Sequence, residues 1–204
     1  KNNPVSGKRE PFFLPEIPAK PEQYYLTIDR VNTANGGAKA YGARQLEKLS
    51  SLPGSGFKTP PSLVIPFGVM EESLHAIPAR WNEYENLIDR IKKRPHDFFE
   101  IAQQLRKIVY RLKIRDDILQ EIRNRFPEKE RLMVRSSSNC EDTLSMAGAG
   151  LYKSITNVSR TKADSAIRKV WASLWSRNAV VSRENCHIPH DKAHMAVLVQ
   201  QMIS

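Results

Sequence analysis

Apolar residues recur along this chain with two periods, and the changes of period mark its elements. Tyr24 to Ile28 alternates aromatic and β-branched residues, which predicts a strand. From Lys39 to Leu49 the spacing is helical, and it predicts that Ala40, Ala43, Leu46 and Leu49 face inward. Ser62 to Phe67 reads as a short apolar strand, and Met70 to Ala76 as a helix that Pro78 stops. Trp81, Tyr84, Leu87, Ile88 and Ile91 then fall at helical spacing and read as core. Asp97 with Glu100 has the form of a capping box before Phe98, Ile101, Leu105, Ile108, Val109 and Leu112. Ile118, Leu119, Ile122 and Phe126 make a further amphipathic set before Pro127, so residues 80–127 look like an inserted bundle of two or three helices.

The second half has the same mixture. Leu132 to Val158 runs from an apolar triplet into Arg135 and three serines, through an acidic pair and a small-residue loop, into alternating residues. The expected order is strand, polar turn, flexible loop, strand. Thr161 and Asp164 mark a helix start, and Ala166, Ile167, Val170, Trp171, Leu174 and Trp175 carry one wide apolar face through Ala179. Met195 to Ile203 is a last strand. An intact domain rarely ends on so apolar a strand, so a fragment of a longer chain is expected. Helices and strands alternate without a strict βαβ order, which suggests an α/β or α+β domain with a helical insertion. Lys1 to Gln23, with five prolines and no helical period, reads as an extended arm or linker before a domain over 24–204.

Charge adds a preference for anions. The net charge is +10, and Arg90 to Arg135 alone holds fourteen Lys/Arg against seven Asp/Glu. Such charge favours nucleotides, nucleic acid or phosphorylated polymers, although much of it belongs on solvated helix faces. No apolar run approaches the roughly 20 residues that span a bilayer, and the first residues lack the apolar core of a signal peptide. Sparse cysteine, Cys140 and Cys186 only, suits a reducing compartment. A soluble, intracellular protein is expected, cytoplasmic or, in a plant or alga, in the plastid stroma.

Candidate chemistry follows from the anion preference. Gly148 and Gly150 let backbone N–H groups approach an anion, and Arg135 at a strand end offers a fixed fork of donors for phosphate. The plain alternative is an ordinary hairpin with a surface arginine. Asn35-Gly36-Gly37-Ala38-Lys39 places a lysine at a helix start, where anions are favoured. The spacing is not that of a P-loop, and taken alone the segment is more simply a glycine turn before a solvated lysine. Cys186, His187, His190 and His194 lie close in sequence but match no common zinc spacing. They read as a polar connector.

Taken together, Val134-Arg135-Ser136-Ser137, Glu141-Asp142, Ala149-Gly150, Val170-Trp171-Ala172-Ser173-Leu174-Trp175, Arg177-Asn178-Ala179-Val180, Met195 to Gln200 and the upstream Gly37-Ala38-Lys39 resemble the nucleotide-binding half of the dikinase family. That family includes phosphoenolpyruvate synthase, pyruvate phosphate dikinase, rifampin phosphotransferase and the glucan, water dikinases. Gly150-Leu151-Tyr152-Lys153-Ser154 and Ile65-Pro66-Phe67-Gly68 are most similar to the phosphoglucan, water dikinase branch. Leu151 and Gly37-Ala38-Lys39 depart from commoner forms, where a glutamine and Gly-Gly-Lys stand.

The resemblance implies the first part of an ATP-grasp domain. By position, Lys39 and Arg135 would hold ATP phosphates, Gly150 and Ser154 would cover them, and Gln200, Gln201, Met202 and Ile203 would line the adenine. It implies Mg²⁺-assisted transfer of the β-phosphate of ATP to a histidine on another domain, then to a glucan or phosphoglucan, or in the alternative to pyruvate. The metal ligands and the catalytic histidine are expected beyond Ser204, so no catalytic or metal-binding residue is assigned within this chain, and the chain alone is expected to be inactive. The rival from another class, a basic nucleic-acid-binding module, explains the charge but not the separated motifs. A pseudoenzyme using this half-domain for partner contacts is a third reading.

Overall fold

A computed structural model describes residues 20–93, 97–140 and 150–203, together with Leu14 and Ile17. Its centre is a five-stranded, wholly antiparallel sheet: β1 Leu26–Thr27, β2 Ser62–Ile65, β3 Leu132–Ser138, β4 Ser154–Val158 and β5 Met195–Gln201, in the spatial order β1-β2-β5-β3-β4. The last strand in sequence is thus the middle one in space. Both its faces are covered by protein, and this is why Met195 to Val199 is a continuous buried run rather than an alternating one.

The helices are α1 Thr33–Ser50, α2 Val69–His75, α3 Pro78–Lys93, α4 Phe98–Tyr110, α5 Asp116–Arg125, α6 Ala163–Ala172 and α7 Arg177–Asn185. Among the described residues, α1 alone covers one face of the sheet, where Ala40 meets Val64 and Leu198, together with Leu26, Ile28 and Val31. The other face packs on the remaining helices through Leu63, Ile65, Leu132, Val134, Val197 and Val199. Strand alternation therefore sorts each residue to one layer. Met133, Arg135, Ser62, Leu198 and Gln200 share the α1 side by register. Helices α3, α4 and α5 bury Leu87, Ile91, Ile101, Leu105, Ile118 and Ile122 in one continuous core with α6 and the sheet.

Several expectations shift in detail. Strand β1 is only two residues long, because the chain turns at Ile28–Arg30 into a 3-10 turn. Tyr24 lies outside it: its hydroxyl donates to Glu72 Oε1 at 2.7 Å and the Arg115 guanidinium lies 3.4 Å over its ring. Pro78 does not only stop α2; it opens α3, where its missing N–H leaves no intrahelical bond unmade. Asp97 makes no side-chain cap bond to α4. The expected single helix through Ala179 is two. A 3-10 turn at Ser173–Trp175 interrupts it, and the Ser176 hydroxyl accepts from the Ala179 N–H to start α7.

Helix α1 differs most. Asn32 and Asn35 form a reciprocal capping box, so the helix begins at Thr33, and it is bent where Gly37 adopts φ 76°. The bend resets the rotation of the second segment. Ala40 is buried against the sheet, whereas Leu46 and Leu49, expected inward, are 53% and 51% exposed. No helix among the described residues is long and apolar enough to cross a membrane.

Candidate functional site

The bend in α1 is held by β3. A Cβ on Gly37 would meet Ser137 Oγ at 2.7 Å and the Ser137 carbonyl oxygen at 2.9 Å, so only glycine allows this approach and this φ. Just beyond, the Ala40 N–H donates to Ser137 Oγ at 3.1 Å. A serine from a strand far along the chain thus satisfies one of the N–H groups that a helix start leaves unpaired. The pair Gly37–Ser137 fixes where Lys39 sits relative to Arg135, two residues before Ser137 on the same face of β3.

Lys39, Arg135 and Gln200 line one cleft of about 380 Å³ on the α1 side of the sheet. Arg135 Nη1 donates to Gln200 Oε1 at 3.1 Å, and Gln200 Nε2 donates to Ser62 Oγ at 3.0 Å. This chain of bonds crosses β3, β5 and β2 and holds the guanidinium by one edge. Ala43 and Leu46 on α1, with Ile28 and Pro60, form an apolar wall of the same cleft. Leu46 is therefore exposed because it faces the cleft rather than the core. One end of the cleft is cationic and one wall is apolar, which suits a ligand with a phosphate group and a flat ring.

The other sequence-derived site residues are distributed unevenly. Ser154 pairs with Arg135 across β3 and β4, which puts it beside the arginine on the same face. Gly150 is exposed, with φ 88° and open space about its Cα. Gln201 pairs with Leu132 and so faces the opposite layer; its N–H donates to the Pro61 carbonyl. The Met202 N–H donates to the Arg131 carbonyl at 2.7 Å, and Ile203 is 71% exposed. Gln201, Met202 and Ile203 do not line the cleft. Glu141, Asp142, Gly148 and Ala149 lie outside the described residues.

Beneath the opposite face sits a buried polar hub that the sequence reading missed. Arg183 is fully buried: Nε donates to His190 Nδ1 at 3.0 Å, Nη1 to the Tyr152 hydroxyl at 3.4 Å and Nη2 to the Leu174 carbonyl at 2.8 Å. Arginine can only donate, so His190 Nδ1 accepts and its ring proton sits on Nε2, 2.6 Å from Glu184 Oε1. Burial, and then the Arg183 charge, push the His190 pKa down, against the pull of Glu184. The expected polar connector thus contains a core histidine. His194 Nδ1 lies 2.9 Å from Glu71 Oε1. The signal in sequence was slight: an arginine three residues after Val180 on a face that is otherwise apolar. Burial also holds the Tyr152 hydroxyl above its usual range and pushes the Cys140 thiol up to about 11.

Among the described residues no group of three His, Cys, Asp or Glu could hold a metal ion, and Glu47 is the carboxylate lining the cleft.

Comparison with known proteins bears on this geometry. Residues 35–204 match the family model described as pyruvate phosphate dikinase, AMP/ATP-binding domain. The chain is 37% identical over 78 residues to a phosphoenolpyruvate synthase of Aeropyrum pernix, covering 38% of this chain and 10% of that protein. It is 27% identical over 186 residues to a rifampicin phosphotransferase of a Streptomyces species, covering 86% of this chain and 20% of the relative. It is 26% identical over 183 residues to the chloroplastic alpha-glucan water dikinase of Solanum tuberosum, covering 89% of this chain and 11% of the relative. The chain spans a tenth to a fifth of the length of these three relatives. The family match begins at Asn35, the partner of Asn32 in the capping box of α1, and takes in Gly37, Lys39, Arg135, Ser137 and Gln200. The chain belongs to the pyruvate phosphate dikinase AMP/ATP-binding domain family.

Proposed function

We propose that the cleft between α1 and the sheet receives the phosphates of ATP, as the first part of an ATP-grasp site in a larger dikinase. The observation that carries this reading is the convergence of Lys39, Arg135 and Gln200 on one cleft from three separate elements. A planar guanidinium held at one edge keeps its other N–H groups for a phosphate, and a lysine adds a point charge. Ser154 beside Arg135 would add a hydroxyl donor. Ala43, Leu46 and Ile28 would face the base or ribose.

In this role the chain supplies position and charge neutralisation, which is what phosphoryl transfer chiefly demands of a protein. The β-phosphate of ATP would pass to a histidine nitrogen on another domain as the bond to the α-phosphate oxygen breaks and AMP departs. The γ-phosphate would go to water or phosphate. Mg²⁺ would neutralise charge on the phosphates; its ligands, and the histidine, are proposed to come from outside the described residues. For the acceptor we favour a glucan or phosphoglucan, on the likeness of Gly150 to Ser154 and Ile65 to Gly68 to that branch.

The test uses the full-length protein and ATP labelled at the β-phosphate. Label should appear on a histidine and then on glucan, and Lys39→Ala should suppress both. Label passing to pyruvate would overturn the acceptor alone. No histidine labelling in the unsubstituted protein would overturn the dikinase reading.

A further inference from the structure

On the opposite side of the sheet from the nucleotide cleft, a second concavity of about 460 Å³ opens between α4, α6 and the residue before β4. Arg106 and Lys107 come from α4, Lys169 from α6, and Lys153 from the approach to β4, with Tyr110 beside them. None of its lining residues is acidic. Among the described residues, none of these four cations is in an ion pair. Arg168, beside Tyr110, is by contrast paired with Asp164 at 2.7 Å.

Four like charges around one hollow repel one another, and an anion placed among them turns that repulsion into attraction. One guanidinium fork and three ammonium groups match a dianion with several acceptor oxygens better than they match a single carboxylate. The volume lies within the range of small-ligand sites and exceeds what one phosphate fills. Tyr110, 41% exposed, offers a flat ring at the edge, with Arg168 over one face at 5.8 Å. The hollow is also anchored. The Lys153 N–H donates to Ser173 Oγ at 3.1 Å, and the same hydroxyl donates to the Val170 carbonyl at 2.6 Å, which fixes the β4 approach to the end of α6.

We propose that this concavity is a second anion site, separate from the nucleotide cleft, that binds a phosphate group, either as inorganic phosphate or as the monoester of a sugar seated on Tyr110. Its occupancy does not depend on what the nucleotide cleft binds.

The test is calorimetric titration of the full chain with inorganic phosphate and with glucose 6-phosphate, in three proteins: unsubstituted, Arg106→Ala/Lys169→Ala, and Arg135→Ala. All substituted side chains here are at least partly exposed, and a melting curve confirms folding of each. Saturable binding that weakens roughly tenfold or more in the double variant, and persists in Arg135→Ala, is expected. Tighter binding of glucose 6-phosphate than of phosphate assigns the sugar to Tyr110, and equal affinity assigns a site for the phosphate group alone; both uphold the site. No saturable binding, or binding lost in Arg135→Ala but kept in the double variant, overturns it. Failure of ATP to bind would leave these outcomes unchanged and would count only against the nucleotide reading.

Discussion

Arg135 and Gln200 meet diagonally across β3 and β5, with Nη1 donating to Oε1 at 3.1 Å, and this bond sets the direction of the guanidinium in the cleft. Gln200 is itself held by Ser62. Replacing Gln200 with Ala therefore leaves Arg135 in place but loosens it. Gln200→Ala should weaken ATP binding by several-fold, less than loss of the arginine, on the order of 1 kcal/mol for one hydrogen bond to a charged group. A titration showing equal losses for Gln200→Ala and Arg135→Ala would assign Gln200 a direct contact instead.

Two glycines in α1 should respond with opposite sign. Gly37→Ala forces a side chain onto the Ser137 backbone at positive φ and should cost about 1–3 kcal/mol. Gly42 has nothing within 4 Å of a built Cβ and lies in regular helix, so Gly42→Ala should add about 0.5–1 kcal/mol. Urea denaturation of both variants measures this. A neutral Gly37→Ala would contradict the close approach that positions Lys39.

Much of this architecture is legible in the sequence, and the misses have physical causes. Helical periodicity finds α3 to α6 because their faces bury Ile, Leu and Val at regular spacing against one core. It fails on α1, where Leu46 faces a cleft and not the core, since an apolar residue at helical spacing looks the same in either place. Motif likeness singles out Lys39 and Arg135, which the structure brings to one cleft. It says nothing of Ser137 as the tie between them, because that role depends on a bond between residues 97 apart in sequence. Arg183 and His190 escape because their spacing of seven residues runs across a turn, where no helical or strand period holds, so only the fold shows that they meet.

Arg183 should be a major stabilising residue although it touches no ligand. Arg183→Met leaves His190 Nδ1, the Tyr152 hydroxyl and the Leu174 carbonyl without their donor in a buried place. A loss of about 3 kcal/mol is expected from chemical denaturation. An unchanged midpoint would mean that water or a rearranged partner replaces all three bonds.

His190 makes stability depend on pH. Its pKa is lowered from 6.5 in the fold, chiefly by burial, so the unfolded chain binds the proton more readily. The stabilisation is complete above the unfolded value and is lost as pH falls below about 6.5 toward the folded value. The melting temperature of the unsubstituted protein should fall on acidification through that window, and His190→Gln should flatten the fall. An equal slope in both proteins would show that another group carries it.

Cys140 should be the slower of the two cysteines. Burial raises its thiol pKa to about 11, so near pH 8 it is protonated as well as covered. Alkylation of the native protein followed by peptide mass analysis should mark Cys186 first, and both equally after unfolding. Faster labelling of Cys140 in the native state would contradict the packing of β3 against Tyr152.

Arg135 and its cleft are proposed to hold the phosphates of ATP. Equilibrium titration of the protein with ATP, unsubstituted and as Arg135→Ala, tests it most directly. A loss of affinity of roughly tenfold or more, with melting behaviour preserved, is expected, because a charged donor to phosphate contributes at least about 1.5 kcal/mol. The same affinity in both proteins, with both folded, would contradict it.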